Sequence, residues 1–133
     1  REYAWLYRKT IDHEKYKAFP YIGTEDDLIL GIGTNVKHNR DWWTKTRVTP
    51  SEAFNRMDKD LQTSIREVNN IVGFANMMTM PKEARGVLYN LHYTVGVGSF
   101  QGFTNLIGAA QSREENKYQT MAEEYLISDV VQW

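Results

Sequence analysis

Glu14-Lys15-Tyr16-Lys17-Ala18-Phe19-Pro20-Tyr21-Ile22-Gly23-Thr24-Glu25-Asp26-Asp27-Leu28-Ile29-Leu30-Gly31-Ile32-Gly33 is the stretch from which the rest of the chain is read. A charged segment ends at Glu14, and a short aromatic run follows. Gly-Thr-Glu-Asp-Asp then separates that run from an apolar one closing in Gly-Ile-Gly. Turn-forming residues between two strand-prone runs spell a hairpin, with a helix end before it and glycines after it. Pro20 cannot donate a ladder hydrogen bond, which limits residues 17–22 to an edge or short strand. Residues 28–32 make the better strand, and Gly31 and Gly33 permit close backbone approaches that a β-carbon blocks. A Gly-x-Gly pair also suggests a phosphate loop, but no third glycine and no following helix support one.

Upstream, Tyr3, Leu6, Tyr7, Thr10 and Ile11 fall at helical spacing and predict a first helix ending near Glu14. His13 stands between Asp12 and Glu14. Neighbouring helical positions point in different directions, so these three do not converge on a metal. Downstream, residues 35–48 are polar and basic around Trp42-Trp43 and hold no period, which reads as a loop or a strand with a short turn. One tryptophan is expected to pack inward while its neighbour stays at the surface. The competing use is a ring lining a sugar cleft.

Thr49-Pro50-Ser51-Glu52 is a helix start: a capping threonine, proline at the first helical position, and a glutamate completing a capping box. Ala53, Phe54, Met57, Leu61, Ile65, Val68 and Val72 then recur three or four apart, predicting a helix of about six turns. Arg56, Asp58, Lys59, Gln62 and Arg66 occupy its other face, as on a strut with solvent along one side. Gly73 to Met80 breaks the pattern. Met77, Met78 and Met80 are adaptable core fillers, since no imidazole or thiolate accompanies them. Pro81 opens another helix with Ala84, Val87, Leu88, Leu91 and Val95 inward, stopped by Gly96 and Gly98. His92 inside it reads as structural. Gly102-Phe103-Thr104-Asn105 follows, with Thr104 placed to cap a helix through Gln111. Ser112-Arg113-Glu114-Glu115 is a second capping box, leading into a helix with Tyr118, Met121, Ala122, Tyr125 and Leu126 inward.

The chain has 133 residues, 25% charged and 41% hydrophobic, enough for one compact domain in two lobes. A net charge of −1 provides no basic field for nucleic acid or an anionic membrane surface. No apolar run approaches the roughly 18 residues of a membrane span. Without cysteine there are neither disulfides nor thiolate metal sites. Nucleic acid and membrane are therefore not expected as partners, and neither a metal nor a cofactor is expected.

Two blocks together resemble the phage-type (T-even-like) lysozymes, or muramidases. Glu14, Tyr21, Thr24, Glu25, Gly31, Ile32 and Gly33 fall in register with that family's opening hairpin without a gap. Asn90, Tyr93, Gly96, Gly102, Phe103, Thr104 and Asn105 match its second block. The resemblance covers nearly all of residues 3–133 in the right order, strongly in these blocks and weakly between them. It implies a mainly α, α+β fold: a small hairpin lobe near residues 15–48, a connecting helix over 49–72, and a helical lobe from 1–14 plus 73–133. It implies cleavage of the N-acetylmuramic acid to N-acetylglucosamine linkage, with Glu14 as general acid. Tyr21, Gly33, Asn90, Thr94 and Phe103 would contact the glycan. The implied partners are bacterial peptidoglycan and other phage tail or virion proteins, and the implied setting is a tail-associated virion protein acting in the host periplasm or cell wall, or else a released lysis protein. The chain opens on Arg1 and stops where the family continues into further helices, which is expected of a shortened variant or a piece of a longer protein.

The second half of the chemistry departs from the family. The hairpin aspartate that pairs with the glutamate aligns with Gly23, the threonine that positions the attacking water with Ile29, and a histidine after Gly-x-Gly with Thr34. Three readings stay open. Asp26 or Asp27, farther along the turn, replaces the second carboxylate. Alternatively Glu14 acts alone by a lytic transglycosylase route, closing the sugar's own hydroxyl onto the anomeric carbon. In the third, the domain is an inactive glycan-binding or structural module of a phage particle. Loss of two groups together favours the last two, because a relocated carboxylate does not account for Ile29.

Overall fold

A computed structural model describes residues 2–23 and 27–127. The architecture is α+β and mainly α: six helices and one three-stranded antiparallel sheet among the described residues. Contacts divide the chain into residues 1–61 and 62–133, a division falling inside one long helix.

In the first unit, helix α1 (Ala4–Glu14) ends as the backbone turns at Lys15, whose φ of 60° and ψ of 158° belong to a region that favours glycine. Strands β1 (Lys17–Ile22), β2 (Leu28–Gly31) and β3 (Thr34–Asn35) follow in the order β1-β2-β3. Pro20 thus lies on an edge strand, where its missing donor costs no central ladder bond. The register shifts between Lys17 and Tyr21, so the strand carries an irregularity around that proline. Leu30 and Thr34 are cross-strand partners on the sheet's buried face, 0% and 2% exposed. Two short 3-10 turns, at Val36–His38 and Arg40–Trp42, occupy the stretch without a period. Trp42 is 5% exposed and Trp43 56%, so one ring packs inward and its neighbour lies at the surface. Val48 donates its N–H to Ala18 O and accepts from the Tyr16 hydroxyl, which ties the end of this loop to β1.

Helix α2 (Pro50–Val72) starts with the expected capping box. The Glu52 N–H donates to Thr49 Oγ1 at 3.2 Å, and the Thr49 N–H donates to Glu52 Oε1 at 3.0 Å. Ala53, Met57, Leu61, Val68 and Val72 are buried, as the spacing requires, whereas Phe54 is 43% exposed. On the outer face Arg56 binds Asp41 through both carboxylate oxygens, and it also meets Asp60 and Asn39. Thr49→Ala removes one of the two box bonds and is expected to cost about 1 kcal/mol. Thermal unfolding measures that loss, and activity per folded molecule should not change.

In the second unit, Gly73 at φ 107° separates α2 from the short α3 (Phe74–Met78), and α4 (Lys82–Gln101) follows Pro81. Gly96 breaks α4, with φ 84° and ψ 167°, but a further helical turn runs on to Gln101. The glycines therefore interrupt this helix without ending it. Helix α5 (Thr104–Gln111) is preceded by Phe103 in the capping position and has no side-chain cap, so Thr104 does not play that part. The second expected capping box does not form either. Ser112 Oγ accepts from the Glu114 N–H, a local turn, and α6 (Lys117–Ile127) begins beyond it. His92 is 4% exposed, with Nδ1 at 2.7 Å from Ser64 Oγ and Nε2 at 3.8 Å from Glu67. Burial lowers its pKa, so the ring is held neutral in a packed structural position.

Candidate functional site

The end of α1 delivers Glu14 onto the glycine-bearing turn that joins β2 to β3. A β-carbon built on Gly33 would lie 2.7 Å from Glu14 Cδ and 2.8 Å from Cγ and Oε1. No real β-carbon sits that close, so the carboxyl rests directly on bare backbone. Gly33 also has φ 72°, which an L side chain rarely adopts. Burial raises the Glu14 pKa from its ordinary value, and the neighbouring His13 pulls it back only in part. A half-buried carboxyl of raised pKa keeps its proton nearer neutrality, the state required of a general acid.

Tyr21 belongs to the same environment. Burial, and then the charge on Glu14, push its hydroxyl pKa upward. Lys17 Nζ lies 5.9 Å from the centre of the Tyr21 ring. Across the sheet Tyr21 opposes Ile29, and Ile29 opposes Asn35. Directly opposed residues in antiparallel strands project to one face, so these three form a row. All three are half-buried.

Gly23 and Ile29 meet at the edge of that row. A β-carbon on Gly23 would lie 3.0 Å from Ile29 Cγ1, and the Gly23 N–H donates to Asp27 O at 2.8 Å. The two positions where the resemblance implies a carboxylate and a hydroxyl are thus neighbours, and both are apolar. Asp27 closes the cluster, since its Oδ2 accepts from Asn35 Nδ2 at 2.9 Å.

Of the residues singled out from sequence, the first unit brings together Glu14, Gly33 and Tyr21, and joins Asp27 to the same sheet face as Tyr21. Asp26 lies outside the described residues. Asn90, Thr94 and Phe103 belong to the second unit. Asn90 is 1% exposed, and neither its amide oxygen nor its nitrogen has a hydrogen-bond partner among the described residues. Thr94 Oγ1, one helical turn on, is likewise buried without one. Phe103 is half-buried at the start of α5. Asn35 was missed by sequence reasoning, because its value depends on a pairing register that a polar two-residue strand does not announce. Among the described residues no three His, Cys, Asp or Glu side chains gather as a metal site would need, and no helix is long and apolar enough to cross a membrane.

No protein-family model matches the chain, and no curated protein does.

Proposed function

We propose that this chain is a phage-type muramidase that cleaves the N-acetylmuramic acid to N-acetylglucosamine linkage of bacterial peptidoglycan, with Glu14 as general acid. The observation that carries the reading is the seat of Glu14, pressed on Gly33 beside Tyr21 and held toward its protonated form by burial. The resemblance of the two sequence blocks to phage lysozymes supplies the substrate class. Cleavage begins as the Glu14 proton passes to the glycosidic oxygen. The bond from that oxygen to the anomeric carbon breaks, and its electron pair stays on the oxygen, leaving positive charge on the sugar. A virion or tail-associated setting, with other virion proteins as neighbours, belongs to the same proposal.

A second reading is favoured by the contact between Gly23 and Ile29, which puts apolar groups where the family carries its other two reacting groups. In it the fold is retained as a glycan-binding or structural module of a phage particle. Digestion of purified peptidoglycan, followed by mass spectrometry of the released fragments, decides between them. New disaccharide fragments support the muramidase. Intact glycan, together with retention of the protein on insoluble peptidoglycan, overturns it in favour of the binding module.

A further inference from the structure

We infer that Asp27 is the second carboxylate of this site and that Asn35 is the residue that positions it, an inference resting on the muramidase reading. Glu14 is seated on Gly33, two residues before Asn35 on the approach to β3, and Tyr21, Ile29 and Asn35 form one row across the sheet. Asp27, two residues before Ile29, is bound to the end of that row by the Asn35 amide at 2.9 Å. Its backbone is pinned as well, because Asp27 O accepts the Gly23 N–H across the hairpin. Asp27 thus replaces the carboxylate absent at position 23, and because Asn35 fixes that carboxylate through Oδ2 its other oxygen also takes over the holding of water that Ile29 cannot perform. Strand alternation alone would leave Asp27 free to swing into solvent, and the Asn35 amide restrains it.

Asn35 is suited to this by its own restraint. Its Oδ1 accepts the Lys37 N–H at 3.0 Å, which fixes the side chain and aims Nδ2 at Asp27. With Oδ2 occupied by Asn35, Oδ1 of Asp27 is the oxygen assigned to the attacking water. The water oxygen bonds to the anomeric carbon while its proton passes to Asp27, and Glu14 gives its proton to the leaving oxygen. One water is consumed, Glu14 ends as carboxylate and Asp27 as carboxylic acid, and proton exchange with solvent resets both. Hydrolysis of this kind yields reducing ends, whereas Glu14 acting alone yields 1,6-anhydro ends.

The test uses four proteins on purified peptidoglycan: wild type, Asp27→Asn, Asn35→Asp, and the double variant that exchanges the two side chains. Asn35→Asp keeps the acceptor for the Lys37 N–H but loses the donor to Asp27. It is expected to lower kcat at least tenfold with KM and Tm nearly unchanged. Asp27→Asn is expected to lower kcat about 10²–10⁴-fold. The exchanged pair restores an amide-to-carboxylate bond and hence any structural role. Its activity should nevertheless remain at the Asp27→Asn level, because the carboxylate now sits on the wrong strand. Recovery of activity in the exchanged pair overturns the inference, as does full activity of Asp27→Asn or 1,6-anhydro ends from the wild type. Each of those outcomes leaves the role of Glu14 standing. A wild type that releases no fragments overturns both.

Discussion

Glu14→Gln is expected, on the proposed muramidase reading, to lose nearly all peptidoglycan cleavage and, at neutral pH, to unfold at a higher temperature than the wild type. The amide matches the carboxyl in size, so its seat on Gly33 is preserved, but it has no acidic proton to give the leaving oxygen. General acid catalysis contributes about 10²–10⁴-fold, and the loss should fall in that range. The stability gain follows from linkage. Burial raises the folded-state pKa of Glu14 above its value in the unfolded chain. Between those two values the folded protein holds a proton that the unfolded chain has released, so stability falls as pH rises through that window. Above the window the wild type carries a desolvated charge and the glutamine does not. Below it both side chains are neutral, and the difference in Tm should vanish. Melting curves across a pH series, paired with fragment release by mass spectrometry, check both halves. Equal cleavage by the two proteins removes Glu14 from the chemistry, and a Tm difference independent of pH removes the burial argument.

What the sequence made legible was local, and what it hid depended on pairing. The capping box at Thr49 and Glu52 involves residues three apart and folds as read. Pro20 on an edge strand and one buried ring of the Trp42-Trp43 pair also follow from the chemistry of single residues. The second box failed for a physical reason as well. Ser112 spends its hydroxyl on a turn at Glu114, and α6 starts beyond the reach of that cap. Gly96 does not stop its helix as glycine chemistry alone suggests, because one residue leaves helical geometry and the next turn resumes it. At the candidate site the seat of Glu14 was foreshadowed by Gly33, since a glycine after a buried strand signals close approach. The bond between Asp27 and Asn35 was not foreshadowed. It depends on which residues of three short strands oppose one another, and the register shift between Lys17 and Tyr21 disturbs any count from sequence.

Gly33→Ala should leave a folded protein that has lost about two orders of magnitude of activity. Two costs act at this position, and they separate by measurement. The backbone at φ 72° disfavours any L side chain, and holding alanine there costs about 1–2 kcal/mol. The new methyl would also stand 2.7–2.8 Å from the side chain of Glu14. A packed backbone could not yield to that contact, but the end of a glutamate side chain can rotate away. The fold therefore survives, and the acid moves. A displacement of about 1 Å in a catalytic group costs on the order of 10²-fold in rate. Gly31→Ala is the control, because Gly31 has nearly the same backbone, φ 75°, while its β-carbon would meet Ala53 and Trp42 at 3.3 Å and not Glu14. It should lose as much stability or more and keep its activity per folded molecule. If the two alanine variants lose activity equally, the loss comes from general distortion of the turn, and the contact between Gly33 and Glu14 does not set the position of the acid.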